Sequence, residues 1–300
     1  MTRWYQHHFH TLLAHRIVFS TIPRLPRFAH PPIAVVTALI FFFLLKRERR
    51  AVAGNLRWIL NKRGLALWWE VYRVFYSFCD FVVSYCYVPR ATHSQLLSML
   101  TDPERGASKI DECLAAGNGL IVWTAHLGNW EFGSRLLEMH GRPVNVARVV
   151  EDIPAEIMLR NLMSNEHLRI VDLRGGVQAS MELLHALRRN EIVAIQGDRL
   201  YQRFSAEVPF FSKPAAFPLG PFLLSQVSGA PVLPGFVVRQ GWLRYRVLIG
   251  DLIPPPTPGD RNSGHVESLC KAVRFLEQAL STHYGQWLNF FSFWAGGSHD

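Results

Sequence analysis

His126 and Glu131 carry the chemistry most worth following in this chain: an imidazole beside a carboxylate is a general base that can ready a hydroxyl for attack. On one continuous helix, five residues of separation would set the two side chains about 140° apart, too far to meet. The surrounding residues break that helix. Gly119 to Thr124 is a short apolar run opened by glycine and reads as a buried strand. Gly128 supplies a bend, Asn129 is a good N-cap, and Phe132 to His140 reads as helix. His126 is thus expected at the carboxyl end of a strand and Glu131 in the first turn of the next helix, where they can meet across the junction. A hydrogen-bonded loop histidine fits the same spacing, so the motif alone leaves both readings open.

From Asp102 onward, strand and helix signals alternate. Strands are expected near 119–124, 143–148, 168–172, 191–196, 231–238 and 243–250. Helices are expected near 108–116, 129–140, 154–165, 176–189, 217–228 and 264–283. The alternation predicts an α/β fold with a mixed, mainly parallel central sheet flanked by helices. Val232 to Val238 and Leu243 to Ile249, joined by Arg239-Gln240-Gly241-Trp242, read as an antiparallel hairpin. Ligands of such sheets bind outside the carboxyl ends of the parallel strands. His126, Arg148 and Gly197-Asp198-Arg199 all fall there. Asp198 and Arg199 also suit a local salt bridge, and Arg148 a solvated surface charge.

The chain of 300 residues is 49% hydrophobic and only 18% charged, so part of its surface is expected to face something other than water. Its four cysteines have no metal-ligand spacing and read as reduced, buried thiols of a cytosolic compartment. The net charge of +9 is unevenly spread: residues 1–63 hold eleven basic residues and one acid, the remainder 21 basic and 22 acidic. A nearly neutral folded domain argues against a nucleic-acid binder, which needs an extended positive surface.

Ile33 to Leu45 is a charge-free run of thirteen residues followed at once by Lys46-Arg47-Glu48-Arg49-Arg50. As a helix it spans about 20 Å, short of the roughly 30 Å hydrocarbon core. A buried core helix is one reading. The basic flank fits an anionic membrane surface better, at about 1 kcal/mol per nearby Lys or Arg, and places the later domain on the cytoplasmic side. A second apolar helix is expected from Leu65 to Val88, its Trp and Tyr residues suiting either the headgroup level or a core. The chain therefore divides into a basic N-terminal membrane-anchor region, 1–63, and an α/β domain, 64–300.

Several blocks occur together in order: His126-x-x-x-x-Glu131, Arg148, Gly197-Asp198-Arg199, Pro209-Phe210-Phe211 with Pro214-Ala215-Ala216-Phe217-Pro218, and Ala230-Pro231-Val232-Leu233-Pro234. With the N-terminal apolar segment and the tryptophan-rich tail (Gln286-Trp287 to Phe293-Trp294), they resemble the bacterial lipid A biosynthesis (late) acyltransferases of the lysophospholipid acyltransferase superfamily. The resemblance covers roughly residues 30–295. Many lipid A enzymes carry an Asp-Gln-Asp-like block where this chain has Gly197-Asp198-Arg199. That version resembles members acting on other acceptors, such as aryl-polyene or mannoside glycolipids.

The resemblance implies a bacterial inner-membrane O-acyltransferase, its domain on the cytoplasmic side. It would move a fatty acyl chain from acyl carrier protein or acyl-coenzyme A to a hydroxyl of a membrane glycolipid. The acyl thioester is a co-substrate, and neither cofactor nor metal is implied. His126 would take the acceptor proton, with Glu131 orienting the imidazole. The absence of G-x-S-x-G predicts direct attack without an acyl-enzyme. Arg148 and Arg160 would hold phosphate, and backbone N–H groups with Arg199 the oxyanion. Asp198 is a further substrate-site candidate, and Phe210, Phe211 and Phe217 would line the acyl channel. A membrane-bound acyl thioesterase and a non-catalytic membrane adaptor are the alternatives.

Overall fold

The computed structural model describes residues 18–104, 106–150, 165–201, 204–257 and 263–294. In chain order the strands are β1 (Leu120–Thr124), β2 (Val144–Arg148), β3 (Leu168–Asp172), β4 (Ile192–Gln196), β5 (Ser205–Phe210), β6 (Lys213–Pro218), β7 (Val232–Gly241) and β8 (Arg244–Ile249). The helices are α1 (His30–Leu44), α2 (Lys46–Leu60), α3 (Gly64–Tyr85), α4 (His93–Ser98), α5 (Ala107–Ala115), α6 (Trp130–Leu137), α7 (Val177–Arg188), α8 (Gly220–Ser228) and α9 (Ser263–His283). The main sheet has the order β3-β2-β4-β1-β7-β8. All its pairings are parallel except that of β8 with β7, so the sheet is mixed and mainly parallel, as the alternating signals predict.

The period of two along each strand sorts side chains between two layers. Ile121, Trp123, Val193, Ile195, Val232 and Phe236 pack against Leu183 and Leu187 of α7, Phe222 of α8 and Leu269 and Leu276 of α9. On the other face Val122, Val146, Ala194 and Leu233 meet Ile110 and Leu114 of α5 and Leu137 of α6. Both faces are covered, which is why the central strands read as continuous apolar runs.

Two local features depart from expectation. The helix expected over 217–228 begins at Gly220, because the residues before it form the β5–β6 hairpin. Its two-residue turn holds Phe211 and Ser212 at φ +50° and +60°, the backbone that asparagine and glycine ordinarily supply. Strand β7 runs on to Gly241 with an irregularity between Arg239 and Gly241, and the chain reverses at Trp242-Leu243. The helix expected over 154–165 lies, apart from Asn165, outside the described residues.

Helix α1 accepts Pro31 and Pro32 because a first-turn residue has no intrahelical N–H bond to lose. At Leu45 the chain turns by 97° into α2. Among the described residues no single helix is long and apolar enough to cross a membrane, although this bent pair passes by length and composition together. Ala34 and Ala38 press α1 onto Leu67, Val71, Val74 and Phe75 of α3. Val36, Leu39, Ile40, Phe43 and Leu44 stay exposed, as do Leu65 and Trp69 on α3. The spacing of these α1 residues is that of one helical face.

Helix α2 reaches the other end of the chain. Asn55 donates from Nδ2 to the Phe291 carbonyl at 2.8 Å, and its Oδ1 accepts from the Phe293 amide at 2.9 Å. The N-terminal helices thereby brace the segment from Trp287 to Phe293, which also reaches the rim of the sheet.

Candidate active site

The parallel register of β1 with β4 builds the site. Thr124 pairs with Gln196, so two residues farther on His126 stands opposite Asp198. The Nδ1 of His126 lies 2.7 Å from Asp198 Oδ1. Asp198 Oδ2 accepts the backbone N–H of His126 at 3.0 Å, the indole N–H of Trp287 at 3.0 Å and the Asn289 amide at 3.3 Å. Both residues are buried, His126 at 6% exposure and Asp198 at 1%. A carboxylate saturated with donors at Oδ2 keeps Oδ1 aimed at the ring.

Burial lowers the His126 imidazole to about 4, helped by the Arg199 charge and opposed by Asp198. Burial alone would raise the Asp198 carboxyl, but the His126 contact, Arg199 and the Trp287 N–H hold it at about 2. At neutral pH the pair is therefore a neutral imidazole against an ionised carboxylate. With Nδ1–H donated to Asp198, the lone pair resides on Nε2, the tautomer a general base requires.

Glu131 is the correction to the sequence reading. It occupies the first turn of α6 as expected, but its Oε1 accepts from Arg148 at 3.3 Å and from the Trp130 indole N–H at 3.2 Å. Asp198 holds the ring instead. The physical reason is the turn: Gly128 has φ +71°, and a Cβ there would stand 2.0 Å from the Val237 carbonyl oxygen. The loop lies tight against β7, with the Asn129 N–H bonded to Val237 O at 2.7 Å. Asn129 caps α6 through the Phe132 N–H and donates to Ser84 Oγ of α3. That path carries Glu131 toward β2, while the imidazole packs edge-on to the Trp130 ring, centroids 5.1 Å apart.

Arg199, expected by sequence near the oxyanion, contacts the C-terminal segment. Its Nε donates to Asn289 Oδ1 at 3.1 Å and a terminal nitrogen to the Leu288 carbonyl at 3.0 Å, so it clamps the C-terminal segment behind Asp198. Arg160 lies outside the described residues. The three phenylalanines expected along an acyl channel lie away from the cavity under α5 and α6: Phe217 is fully buried against Phe210 and Phe293, and Phe210 packs on Phe211, Trp287 and Trp294. Those rings fill the core because β5 and β6 turn that face inward.

The cavity lies on the opposite face of the sheet. It encloses about 370 Å³ and takes wall residues from β2, β4, β1, β7 and β8, under α5 and α6. At about 4.8 Å between strands, crossing these five gives a length of about 19 Å. One leaflet of hydrocarbon is about 15 Å deep, so a lipid tail fits by length. Val122, Val146, Ala194, Leu233 and Leu137 make its floor and roof apolar, and Thr124, Gln196, Glu131 and Arg148 give it a polar end. Trp130 lines this end and also touches His126. The sequence held no signal for the cavity beyond the alternation of its strands, and none for Trp287 and Asn289 as partners of Asp198.

Fold and site together define an α/β protein with a carboxylate-held imidazole at the sheet rim, beside an apolar cavity of lipid length. The chain belongs to the bacterial lipid A biosynthesis acyltransferase family, whose model matches residues 7–294. It is similar to the phosphatidylinositol mannoside acyltransferases of two Mycobacterium tuberculosis strains, CDC 1551 / Oshkosh and ATCC 25618 / H37Rv, 30% identical to each over 208 residues. These matches cover 67% of this chain and 62% of the length of each relative.

Proposed function

We propose that this protein is a membrane-seated O-acyltransferase that moves a fatty acyl chain from a thioester to a hydroxyl of a glycolipid. The observation that carries the reading is the His126–Asp198 pair beside a cavity shaped for one hydrocarbon chain. The acyl chain lies across the sheet, its thioester at the polar end. Nε2 of His126 takes the acceptor proton while Asp198 stabilises the imidazolium that forms. The freed oxygen attacks the thioester carbonyl directly.

Arg148, at the cavity end and held by Glu131, faces a phosphate of the donor or acceptor, and Glu131 acts through that arginine. Coenzyme A and a carrier protein's prosthetic arm share the phosphate this needs. The relatives act, by name, on a phosphatidylinositol mannoside, and a mannoside acceptor agrees with the Gly197-Asp198-Arg199 block. The exposed α1 face, flanked by Lys46, Arg47 and Arg50, fits a helix lying in an anionic membrane surface. The basic flank agrees with a catalytic domain on the cytoplasmic side of the bacterial inner membrane.

The test is product analysis with radiolabelled acyl-coenzyme A or acyl carrier protein, purified protein and vesicles containing mannosylated phosphatidylinositol. Labelled glycolipid that disappears with His126→Ala is the expected outcome. Label released only as free fatty acid would make the protein a thioesterase and overturn the transferase reading.

A further inference from the structure

Gln196 ends β4, pairs in register with Thr124, and precedes Asp198 by two residues. Its side chain lines the polar end of the cavity, yet among the described residues its buried Nε2 has no hydrogen-bond partner. An unsatisfied buried amide is destabilising, and a buried polar group left in that state calls for a reason. Thr124 and Arg148 flank it at the same level, and one step below the wall turns apolar at Ala194, Val122 and Val146. A methionine would fill the same space without the penalty. A half-turn of the terminal amide presents either its donor or its acceptor to the cavity.

We propose that Gln196 is the side-chain donor to the acyl carbonyl, a catalytic residue that stabilises the oxyanion formed during transfer. The inference rests on the acyltransferase reading of the same site. A chain lying in the cavity brings its carbonyl past Gln196 on the way to His126, because the same parallel register places Thr124 and Gln196 one step below His126 and Asp198. In the reaction the acceptor oxygen bonds to the carbonyl carbon and its proton passes to His126 Nε2. The carbonyl π pair moves onto oxygen, where the Gln196 N–H receives it. Collapse of the tetrahedral intermediate re-forms the carbonyl and expels the sulfur, which leaves with the proton from the imidazolium. Arg199, the candidate for this role by sequence, is occupied with Asn289 and Leu288.

The experiment compares Gln196→Met with the unaltered protein in thermal melting and in steady-state acyl transfer. The proposal expects a melting temperature equal or higher, since the unpaired amide is gone, KM for palmitoyl-coenzyme A little changed, and kcat lower by about 10²-fold. A variant that melts lower and transfers at full kcat would make Gln196 structural and overturn the assignment. A spectroscopic reading separates the roles even if turnover is weak. In His126→Ala protein, carbonyl-labelled palmitoyl-coenzyme A should show its C=O stretch lowered by the hydrogen bond, and Gln196→Met added to that background should return it to the solution frequency. An unshifted band in the first protein, or an identical shift in both, contradicts the proposal. If the unaltered protein transfers no acyl group from any thioester, the acyltransferase reading falls with it; if it does transfer while the band or kcat ignores Gln196, only this inference falls.

Discussion

The carboxylate of Asp198 reaches His126 twice, with Oδ1 2.7 Å from the ring Nδ1 and Oδ2 3.0 Å from the backbone nitrogen. One group thereby fixes both the tautomer of the imidazole and the position of the chain that carries it. Asp198→Asn cannot satisfy both ends, because its NH₂ must face either the Nδ1–H or the cluster of N–H donors at Oδ2. We expect a loss of about 10²–10⁴ in kcat with the fold retained. Glu131→Gln should cost less and act mainly on KM, through Arg148. Steady-state kinetics of the two variants check this ordering, and a larger kcat loss in Glu131→Gln would reverse the assignment.

The turn itself is a second point of test. Gly128→Ala places a methyl group on the Val237 carbonyl at a left-handed backbone position. We expect a destabilisation of about 1–3 kcal/mol or more and displacement of His126. Chemical denaturation with an activity assay on the folded fraction measures both. Gly197→Ala should behave similarly, since its Cβ would stand 1.9 Å from the indole nitrogen of the fully buried Trp123.

The pH dependence has a defined sign. His126 falls from 6.5 to about 4 on folding, chiefly through burial. Between those values the unfolded chain binds a proton that the native chain does not. Stability contributed by this group is therefore present above about 6.5 and lost as pH falls toward about 4. Catalysis follows the native value: kcat/KM should stay level through pH 6 and fall only on approaching about 4. A pH–rate profile with its acid limb at 6.5 would show that the free imidazole is not held as described.

The proposed membrane seat is tested on α1. Phe43 is 63% exposed, and burying a phenylalanine side chain is worth about 1.5–3 kcal/mol. Phe43→Glu should weaken sedimentation with anionic vesicles by at least 10-fold while leaving the melting temperature within a degree or two. Unchanged vesicle binding would remove α1 from the interface.

Much of the fold is legible in the sequence because burial on both faces imposes continuous apolar strands. The expected 119–124, 143–148 and 191–196 compare with Leu120–Thr124, Val144–Arg148 and Ile192–Gln196. The β5–β6 hairpin is hidden by Pro209, Pro214 and Pro218, and by a turn whose Phe211 and Ser212 adopt a backbone their types rarely take. For the site, His126 and Asp198 both fall at strand ends by sequence alone, but their contact depends on β1 pairing with β4, a long-range choice the local pattern does not encode. Glu131 is near in sequence and Asp198 is not; proximity along the chain points to Glu131, whereas the carboxylate in contact with the ring is Asp198. Asn289 and Trp287 carry no local mark of their role.

The most direct measurement is mass spectrometry of membrane lipids from cells lacking this protein, complemented with the unaltered chain, His126→Ala or Asp198→Asn. One glycolipid should lose an acyl mass in the deletion strain, regain it with the unaltered chain, and fail to regain it with His126→Ala. Full restoration of the acylated lipid by His126→Ala would contradict the claim that this imidazole performs the transfer.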